Sequence, residues 1–181
     1  MRIGFAILLD DKSHNFARQI ELELCHKFGL CWGLKQSPHI TIKGPFDTDK
    51  LEPFLNYIED LAQKFHPFEI KIDGFGYFEG EKNVIFLDVK ESPKLKEIQM
   101  KIISDLKNNF NIQPYDIELH GWKFHSTLAT GDVDKEKLVK AKEYLKQFKP
   151  KFKFLAKTIG VFYYLGKGDG WIIIRRVKLK S

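Results

Sequence analysis

Cysteine and long apolar runs are scarce in this sequence of 181 residues. Its two cysteines, Cys25 and Cys31, form no C-x-x-C pair and belong to no matching cluster, so neither a zinc site nor a disulfide framework is expected. Both are predicted to be reduced, partly buried thiols. The apolar run in the N-terminal segment MRIGFAILLDD ends at two aspartates and is too short for a secretory signal or a membrane span. These absences predict a cytoplasmic protein with no membrane association.

Phosphate-binding glycine loops are also absent. The segment GKGDG at 166–170 lacks the residues of a Walker or dinucleotide loop and is typical of a hairpin turn. The composition is otherwise that of a globular protein, with 43% hydrophobic residues, enough for one domain or two small lobes that share a core. Lysine and arginine number 30 against 24 acidic residues, and the formal net charge of +6 favours anionic ligands such as phosphates.

The apolar periodicity predicts an alternation of strands and helices. Strands are expected at 2–9, 39–42, 68–78, 84–89 and 122–129, followed by two paired terminal strands at 152–165 and 170–179. Helices are expected over about 13–27, 51–65, 93–109 and 134–148. Pro93 and Asp134 stand at the predicted helix starts, where such residues are favoured.

The two halves of the chain resemble each other. His39 precedes Gly74 by 35 residues, and His125 precedes Gly160 by the same 35 residues. This spacing aligns GFGYFEG with GVFYYLG, the segments that begin at those two glycines. The period of 86 residues is far longer than that of a solenoid. The sequence therefore predicts one domain, 1–181, with approximate repeats 1–83 and 84–181 that form two α/β lobes about an approximate two-fold axis.

Each half contains one His-x-Thr tripeptide followed by an aliphatic residue. The two motifs are His39-Ile40-Thr41-Ile42 and His125-Ser126-Thr127-Leu128, and none of the other four histidines has a threonine two places on. Side chains alternate between the faces of a strand, so each histidine shares a face with its threonine, about 6.6 Å further along. The aliphatic residues share the opposite face. Each motif therefore predicts a strand with one core face and one polar face.

With these two motifs, the duplication and the chain length, the sequence resembles the 2H phosphoesterases over nearly its whole length. The resemblance is to the branch of RNA 2',3'-cyclic phosphodiesterases often labelled 2'-5' RNA ligase. It implies a bilobal α/β fold in which each lobe has a largely antiparallel sheet with helices outside, and the motif strands face each other across a central cleft. It also implies no metal or other cofactor, catalysis by His39 and His125, and phosphate binding by Thr41 and Thr127.

The chemistry implied by this resemblance explains the residue types. Opening a 2',3'-cyclic phosphate needs a base that deprotonates water and an acid that protonates the leaving alcohol, on opposite sides of phosphorus. Two imidazoles with a pKa near the usual value of about 6.5 can serve as both at neutral pH. Threonine hydroxyls donate to the non-bridging oxygens. Family precedent implies a 2'-phosphate product, which assigns His125 as the base and His39 as the acid. It also implies RNA ligation as the reverse reaction.

Four further residues are candidates for substrate binding. Lys43 shares the face of His39, and Lys123 that of His125; each either attracts phosphate or is a solvated lysine at a strand end. Tyr77 and Tyr163 occupy matching positions and either stack on a nucleobase or belong to the core. Neither motif brings an acidic residue onto its histidine face, so no metal site is predicted.

Three functions of different classes are compatible with this sequence. The first is a metal-independent phosphoesterase that acts as a monomer on RNA ends or on a small cyclic nucleotide. The second is a module that binds RNA ends or nucleotides with little or no catalysis, and the third is a structural protein that uses the fold as a scaffold. RNA ends, cyclic phosphates of ADP-ribose and 2'-5' oligonucleotides all suit the same four residues. The segment 110–122 has no counterpart of equal length in the first half, and we expect it to cover the cleft.

Overall fold

Two four-stranded antiparallel sheets carry the helices of this protein. The computed structural model describes residues 1–180. The strands are β1 Arg2–Leu8, β2 His39–Asp47, β3 Phe68–Phe78, β4 Val84–Lys90, β5 His125–Ala129, β6 Lys151–Ala156, β7 Thr158–Tyr164 and β8 Trp171–Lys178. The helices are α1 Asp11–Phe28, α2 Glu52–Ala62, α3 Pro93–Phe110, α4 Asp116–Leu119 and α5 Lys135–Leu145, with a 3-10 turn at Trp32–Lys35. None of the helices within residues 1–180 is long and apolar enough to cross a bilayer.

The two sheets have matching strand orders. Sheet 1 has the order β2-β1-β7-β8, and sheet 2 has the order β5-β4-β3-β6. All strand pairs are antiparallel. A histidine strand forms one edge of each sheet, and these edge strands, β2 and β5, lie close together where the sheets meet. The predicted α/β fold with two related antiparallel sheets is confirmed.

Helices α1 and α3 each connect two strands of one sheet but pack against the other sheet. Helix α1 connects two strands of sheet 1 but packs on sheet 2, where the ring of Phe16 contacts Phe148 and Phe152. Helix α3 connects two strands of sheet 2 but packs on β2 of sheet 1, and its Phe110 ring contacts Phe54 and Tyr57 of the neighbouring helix α2. Each sheet is therefore covered by helices from both halves of the chain, and buried side chains from both halves form one hydrophobic cluster.

The single strand predicted at 152–165 is two strands that belong to different sheets. Strand β6 pairs with β3 in sheet 2, whereas β7 pairs with β1 and β8 in sheet 1. The chain leaves one sheet and enters the other at Lys157. Both segments keep an alternating apolar pattern, so the periodicity of the sequence cannot show that the hydrogen-bonding partners change.

The strand ladders also correct the alignment of the two halves. In sheet 1, Gly160 lies opposite Ala6, which in turn lies opposite Thr41. The same three ladder positions in sheet 2 are held by Gly76, Phe86 and Thr127. Gly160 therefore corresponds to Gly76, and its predicted match with Gly74 is wrong by two residues.

A bulge in β3 contributes to this shift. Ile72 lies opposite Val89 and Phe75 lies opposite Leu87, so β3 has one more residue than β4 over this interval. Tyr77 and Tyr163 consequently do not occupy equivalent positions, although equal spacing from the histidines placed them in register. A bulge changes the number of residues between two matching positions without changing the apolar pattern on which the alignment rests.

The prediction that both cysteines are reduced thiols is wrong, because Cys25 and Cys31 form a disulfide. Helix α1 ends in a turn in which Gly29 adopts a left-handed φ of 67° and donates to the Cys25 carbonyl at 2.9 Å. The next amide, that of Leu30, donates to the Leu24 carbonyl at 3.3 Å. This reversal brings the two cysteine Cα atoms to within 4.4 Å, which the spacing in the sequence alone does not reveal.

Candidate active site

The two predicted histidines have the same hydrogen bond on Nδ1. Nδ1 of His39 lies 2.7 Å from the carbonyl oxygen of Ser37, and Nδ1 of His125 lies 2.7 Å from that of Lys123. A carbonyl oxygen only accepts, so each Nδ1 carries the proton. This fixes the tautomer and leaves Nε2 of each ring as the atom that accepts or donates a proton during a reaction.

Phenylalanine rings hold both imidazoles in place. The ring of His39 contacts Phe162, with centroids 4.2 Å apart. The ring of His125 contacts Phe78 and Phe86, each with a centroid distance of 5.1 Å. Phe162 and Phe86 are themselves buried. The histidines are therefore oriented by apolar contacts as well as by hydrogen bonds.

Burial makes both histidines weaker bases than free imidazole. It lowers the pKa of His39 to about 4, opposed by the Ser37 carbonyl and assisted by the charge of His125. Burial also lowers the pKa of His125, opposed by the carbonyl of Lys123 and assisted by its ammonium group. Without a ligand, both rings are therefore neutral at pH 7. An anion between them would favour the protonated form of either ring.

A cavity of about 160 Å³ lies beside the first histidine and includes both threonines. His39, Thr41 and Thr127 line it together, so side chains of both motif strands reach one space. Gly4 and Ala6 of β1 also line it, and their small size leaves room on this side of the sheet. His125 lies on β5 two residues before Thr127, on the same face of that strand, and its charge contributes to the lowered pKa of His39.

The two predicted lysines have different environments. Lys43 lines the cavity, but it is buried and its ammonium group contacts both carboxylate oxygens of Glu118, at 2.8 and 3.0 Å. Its charge is therefore compensated by the protein. Lys123 is 44% exposed and forms an ion pair with Asp88 on β4. Its backbone carbonyl holds His125, a contact that a sequence motif does not show.

The structure does not bring the two predicted tyrosines to the histidines. Tyr77 lies in a separate groove beside α5, with Nζ of Lys142 4.8 Å from its ring centroid. Tyr163 packs on the hydrophobic core. Their chain neighbours Phe78 and Phe162 contact the histidines instead, because adjacent side chains point to opposite faces of a strand.

Two residues that sequence reasoning missed also line the cavity, Gln36 and Trp171. Trp171 is half-buried at the start of β8, with its ring 5.0 Å from that of Tyr164. Its only sequence signal is its place directly after the glycine-rich hairpin turn. Gln36 stands three residues before the first motif, in a segment without periodicity.

Hydrogen bonds from helix α1 hold the segment before β2 in place. Arg18 donates to the backbone carbonyl of Gln36 at 2.5 Å and to that of Leu34 at 3.4 Å. The next residue, Ser37, supplies the carbonyl that fixes His39. The arginine thus positions the backbone from which the first histidine takes its hydrogen bond.

Residues 1–180 contain no group of three or more His, Cys, Asp or Glu side chains arranged to hold a metal ion. The catalytic roles of the histidines and the independence from metals stay predictions. The geometry provides two neutral imidazoles with free Nε2 atoms and two threonine hydroxyls on adjacent strands.

This fold and this pair of motif strands define a class of proteins, and the chain belongs to the 2'-5' RNA ligase superfamily. The family model matches residues 9–168. The resemblance to the 2H phosphoesterases inferred from the two motifs is thereby confirmed.

Two of the relatives of this chain come from Bacillus. A Bacillus cereus (strain AH820) protein, named provisionally as a phosphoesterase, is 31% identical over 101 residues, which are 55% of each chain. A Bacillus thuringiensis (strain Al Hakam) protein with the same provisional name is 38% identical over 60 residues, 32% of this chain and 35% of the relative. The chain thus spans about half the length, or less, of these curated relatives.

Solved structures share the fold along the whole chain. TT0787 of Thermus thermophilus superposes with a TM-score of 0.70 at 17% identity and covers 100% of this chain and 99% of its own. Escherichia coli LigT superposes with a TM-score of 0.57 at 15% identity, over 99% and 98%. LigT has also been crystallised with 3'-AMP, phosphate, ATP and NADP+. At these identities the likeness is one of fold.

Proposed function

We propose that the protein is a phosphoesterase that opens 2',3'-cyclic phosphates to 2'-phosphates by two-histidine acid–base catalysis. One observation carries the proposal: both motif strands reach a common cavity, and both histidines leave Nε2 available. Membership of the 2'-5' RNA ligase superfamily supports phosphodiester chemistry.

The reaction assigns a task to each of four side chains. The neutral Nε2 of one histidine takes a proton from water as the water oxygen bonds to phosphorus. The bond from phosphorus to the 3'-oxygen breaks, and protonated Nε2 of the other histidine gives its proton to that oxygen. Thr41 and Thr127 donate to the non-bridging oxygens, where negative charge accumulates. Proton exchange with solvent then restores both rings.

The burial of His39 supports it as the base. Its pKa of about 4 keeps the ring neutral at pH 7, so that Nε2 is ready to take a proton. Burial also lowers the pKa of His125, and the anionic substrate between the two rings would favour the protonated form that a general acid needs. In this proposal His39 deprotonates water and His125 protonates the 3'-oxygen. The assignment is the reverse of the one that the family resemblance implies.

Nucleotides and RNA ends are the proposed substrates. The E. coli LigT complexes with 3'-AMP, phosphate and ATP support a nucleotide ligand, because the two proteins share the fold. Trp171 offers a half-buried aromatic surface at the cavity for a nucleobase. Joining a 2',3'-cyclic end to a 5'-hydroxyl end would be the same ring opening, with the 5'-oxygen in place of the water oxygen and a 2'-5' linkage as the product.

The test is hydrolysis of the four nucleoside 2',3'-cyclic phosphates and of an RNA with a cyclic end, in the presence of EDTA. We expect turnover to 2'-phosphates, identified by phosphorus NMR. Loss of general acid or base catalysis in His39→Ala and His125→Ala should lower kcat by about 10²-fold or more. Replacing Thr41 or Thr127 by valine should lower it less.

His66→Ala is the matched control, because this exposed histidine lies outside the cavity. It should retain the wild-type rate. Folded wild-type protein that binds nucleotides without turnover would indicate a binding module instead. Activity that EDTA abolishes would contradict the metal-independent mechanism.

A further inference from the structure

Glu118 has an unusually complete set of hydrogen-bond donors for a buried carboxylate. Its side chain has no exposed surface, and its partner Lys43 is 1% exposed. The carboxylate accepts from Nζ of Lys43 on both oxygens, from the backbone amide of Gly44 at 2.7 Å and from that of Tyr115 at 2.9 Å. Each of these hydrogen bonds offsets part of the free-energy cost of burying the carboxylate charge.

These contacts join two parts of the chain that carry different histidines. Lys43 and Gly44 belong to β2, the strand of His39, whereas Glu118 lies in the segment 111–124 that leads into β5. We call 111–124 the pre-β5 segment. Tyr115 adds a hydrogen bond from its hydroxyl to the Pro45 carbonyl at 2.5 Å. The pre-β5 segment is therefore fastened to the first histidine strand.

The surroundings leave little space for another arrangement. A Cβ on Gly44 would lie 3.1 Å from Oε1 of Glu118 and 3.4 Å from the Tyr115 ring. The ammonium group of Lys43 lies 5.1 Å from the ring centroid of Tyr115 and 5.6 Å from that of Phe46. Two rings, a glycine and four hydrogen bonds thus define the position of this ion pair.

The pre-β5 segment ends at the backbone that orients the second histidine. The carbonyl of Lys123, five residues after Glu118, accepts the hydrogen bond from Nδ1 of His125. The carbonyl that orients His39 comes from Ser37, outside the pre-β5 segment. Loosening the pre-β5 segment should therefore affect the tautomer of His125 and leave that of His39 unchanged.

We propose that Glu118 is a positioning residue for His125, because it anchors the pre-β5 segment to β2 and so fixes the Lys123 carbonyl. Its carboxylate also neutralises the ammonium group of Lys43, so that Lys43 has a structural role and does not bind phosphate. This role rests on the proposed two-histidine function, but its first readout needs no substrate.

The experiment compares wild type with Glu118→Gln by 15N NMR of the imidazole nitrogens. In wild type both rings should be single Nδ1–H tautomers at neutral pH. In Glu118→Gln we expect a mixture of tautomers at His125 and an unchanged His39. With cyclic nucleotides, kcat should fall on the order of 10²-fold with KM little changed, because misplacing a reacting group by about 1 Å has an effect of that size.

Glu97→Gln is the control, since it removes the carboxylate of an exposed Lys–Glu pair and should change neither readout. If Glu118→Gln does not fold, the double variant Lys43→Met, Glu118→Leu replaces it. This variant removes both charges and also the hydrogen bonds from the Gly44 and Tyr115 amides. The same mixture of His125 tautomers is therefore expected. A folded variant with a single His125 tautomer would overturn the proposal. Absence of turnover in wild type would instead contradict the proposed function, while the NMR comparison would still test the anchor.

Discussion

Gly33 lies directly against the backbone of Leu128. A Cβ built on Gly33 would be 2.0 Å from the Leu128 carbonyl oxygen and 2.9 Å from its carbon. Gly33 belongs to the 3-10 turn before the first histidine strand, and Leu128 follows Thr127 on the second. The turn that precedes the first motif strand is thus joined to the second motif strand by a contact that only glycine permits.

Replacing Gly33 by alanine should push the turn away from β5. We expect a loss of about 1–3 kcal/mol of unfolding free energy, because overpacking against rigid backbone has costs of this size. For a chain of this length, the melting temperature should fall by roughly 2 to 12 °C. Calorimetry measures the melting temperature. Gly80→Ala is the control, because no atom lies within 4 Å of a Cβ added at Gly80. Equal melting temperatures for the two variants would contradict this contact.

Shortening Phe162 should change the basicity of His39. In Phe162→Leu the ring that contacts His39 is gone, water gains access to the imidazole, and its pKa should rise from about 4 towards the ordinary value of about 6.5. An NMR titration of the imidazole signals measures both histidines. Phe78→Leu is the paired variant and should move the pKa of His125 instead. The prediction fails if each variant shifts both histidines equally.

A substrate with an activated leaving group should separate the base from the acid. p-Nitrophenolate departs without a proton, so a nucleotide p-nitrophenyl ester does not need the general acid. If His39 is the base, His125→Ala should recover much of its activity on this ester relative to a cyclic phosphate, and His39→Ala should not. Steady-state rates on the two substrates give the comparison. Recovery by His39→Ala alone would restore the roles implied by the family resemblance.

Stability should fall in mild acid because of His39. Its folded pKa of about 4 lies below the unfolded value of about 6.5, so the unfolded chain binds the proton more tightly. The stabilisation is complete above about pH 6.5 and is lost as the pH falls to about 4, by about 3 kcal/mol at most. Urea unfolding of wild type and His39→Gln at several pH values measures it. The difference between the two proteins should change over this pH range and stay constant above it.

The sequence predicted the elements well where apolar periodicity and length agree. The two His-x-Thr strands and the long helices α1 and α3 lie where expected, because each is a long periodic segment or a short alternating one. Neither the break at Lys157 nor the bulge between Ile72 and Phe75 was predicted. The break changes the hydrogen-bonding partners of the chain, and the bulge changes the number of residues between matching positions. Neither alters the apolar pattern on which the predictions rest.

The site was predicted in part for a related reason. His39 and Thr41 share a cavity because two-residue spacing on a strand determines a common face, and Thr127 joins them because β5 lies against β2. The predicted Tyr77 and Tyr163 do not contact the histidines, because each lies one residue from the phenylalanine, Phe78 or Phe162, whose ring does. The carboxylate that binds Lys43 comes from Glu118, 75 residues along the chain, and no local pattern connects them.

The exchange of α1 and α3 between the sheets has a consequence for how such a chain could arise. A single copy of the repeat 1–83 would contain only β1 and β2 of sheet 1 and only β3 of sheet 2, and its helix α1 would lack the sheet on which it packs. Two separate copies would complete both sheets only as an intertwined homodimer, in which each copy contributes strands and a helix to the other. Joining two such copies end to end makes the partner permanent, and each histidine strand is then free to diverge. A chain cut near residue 83 should therefore regain its core only when both fragments are refolded together.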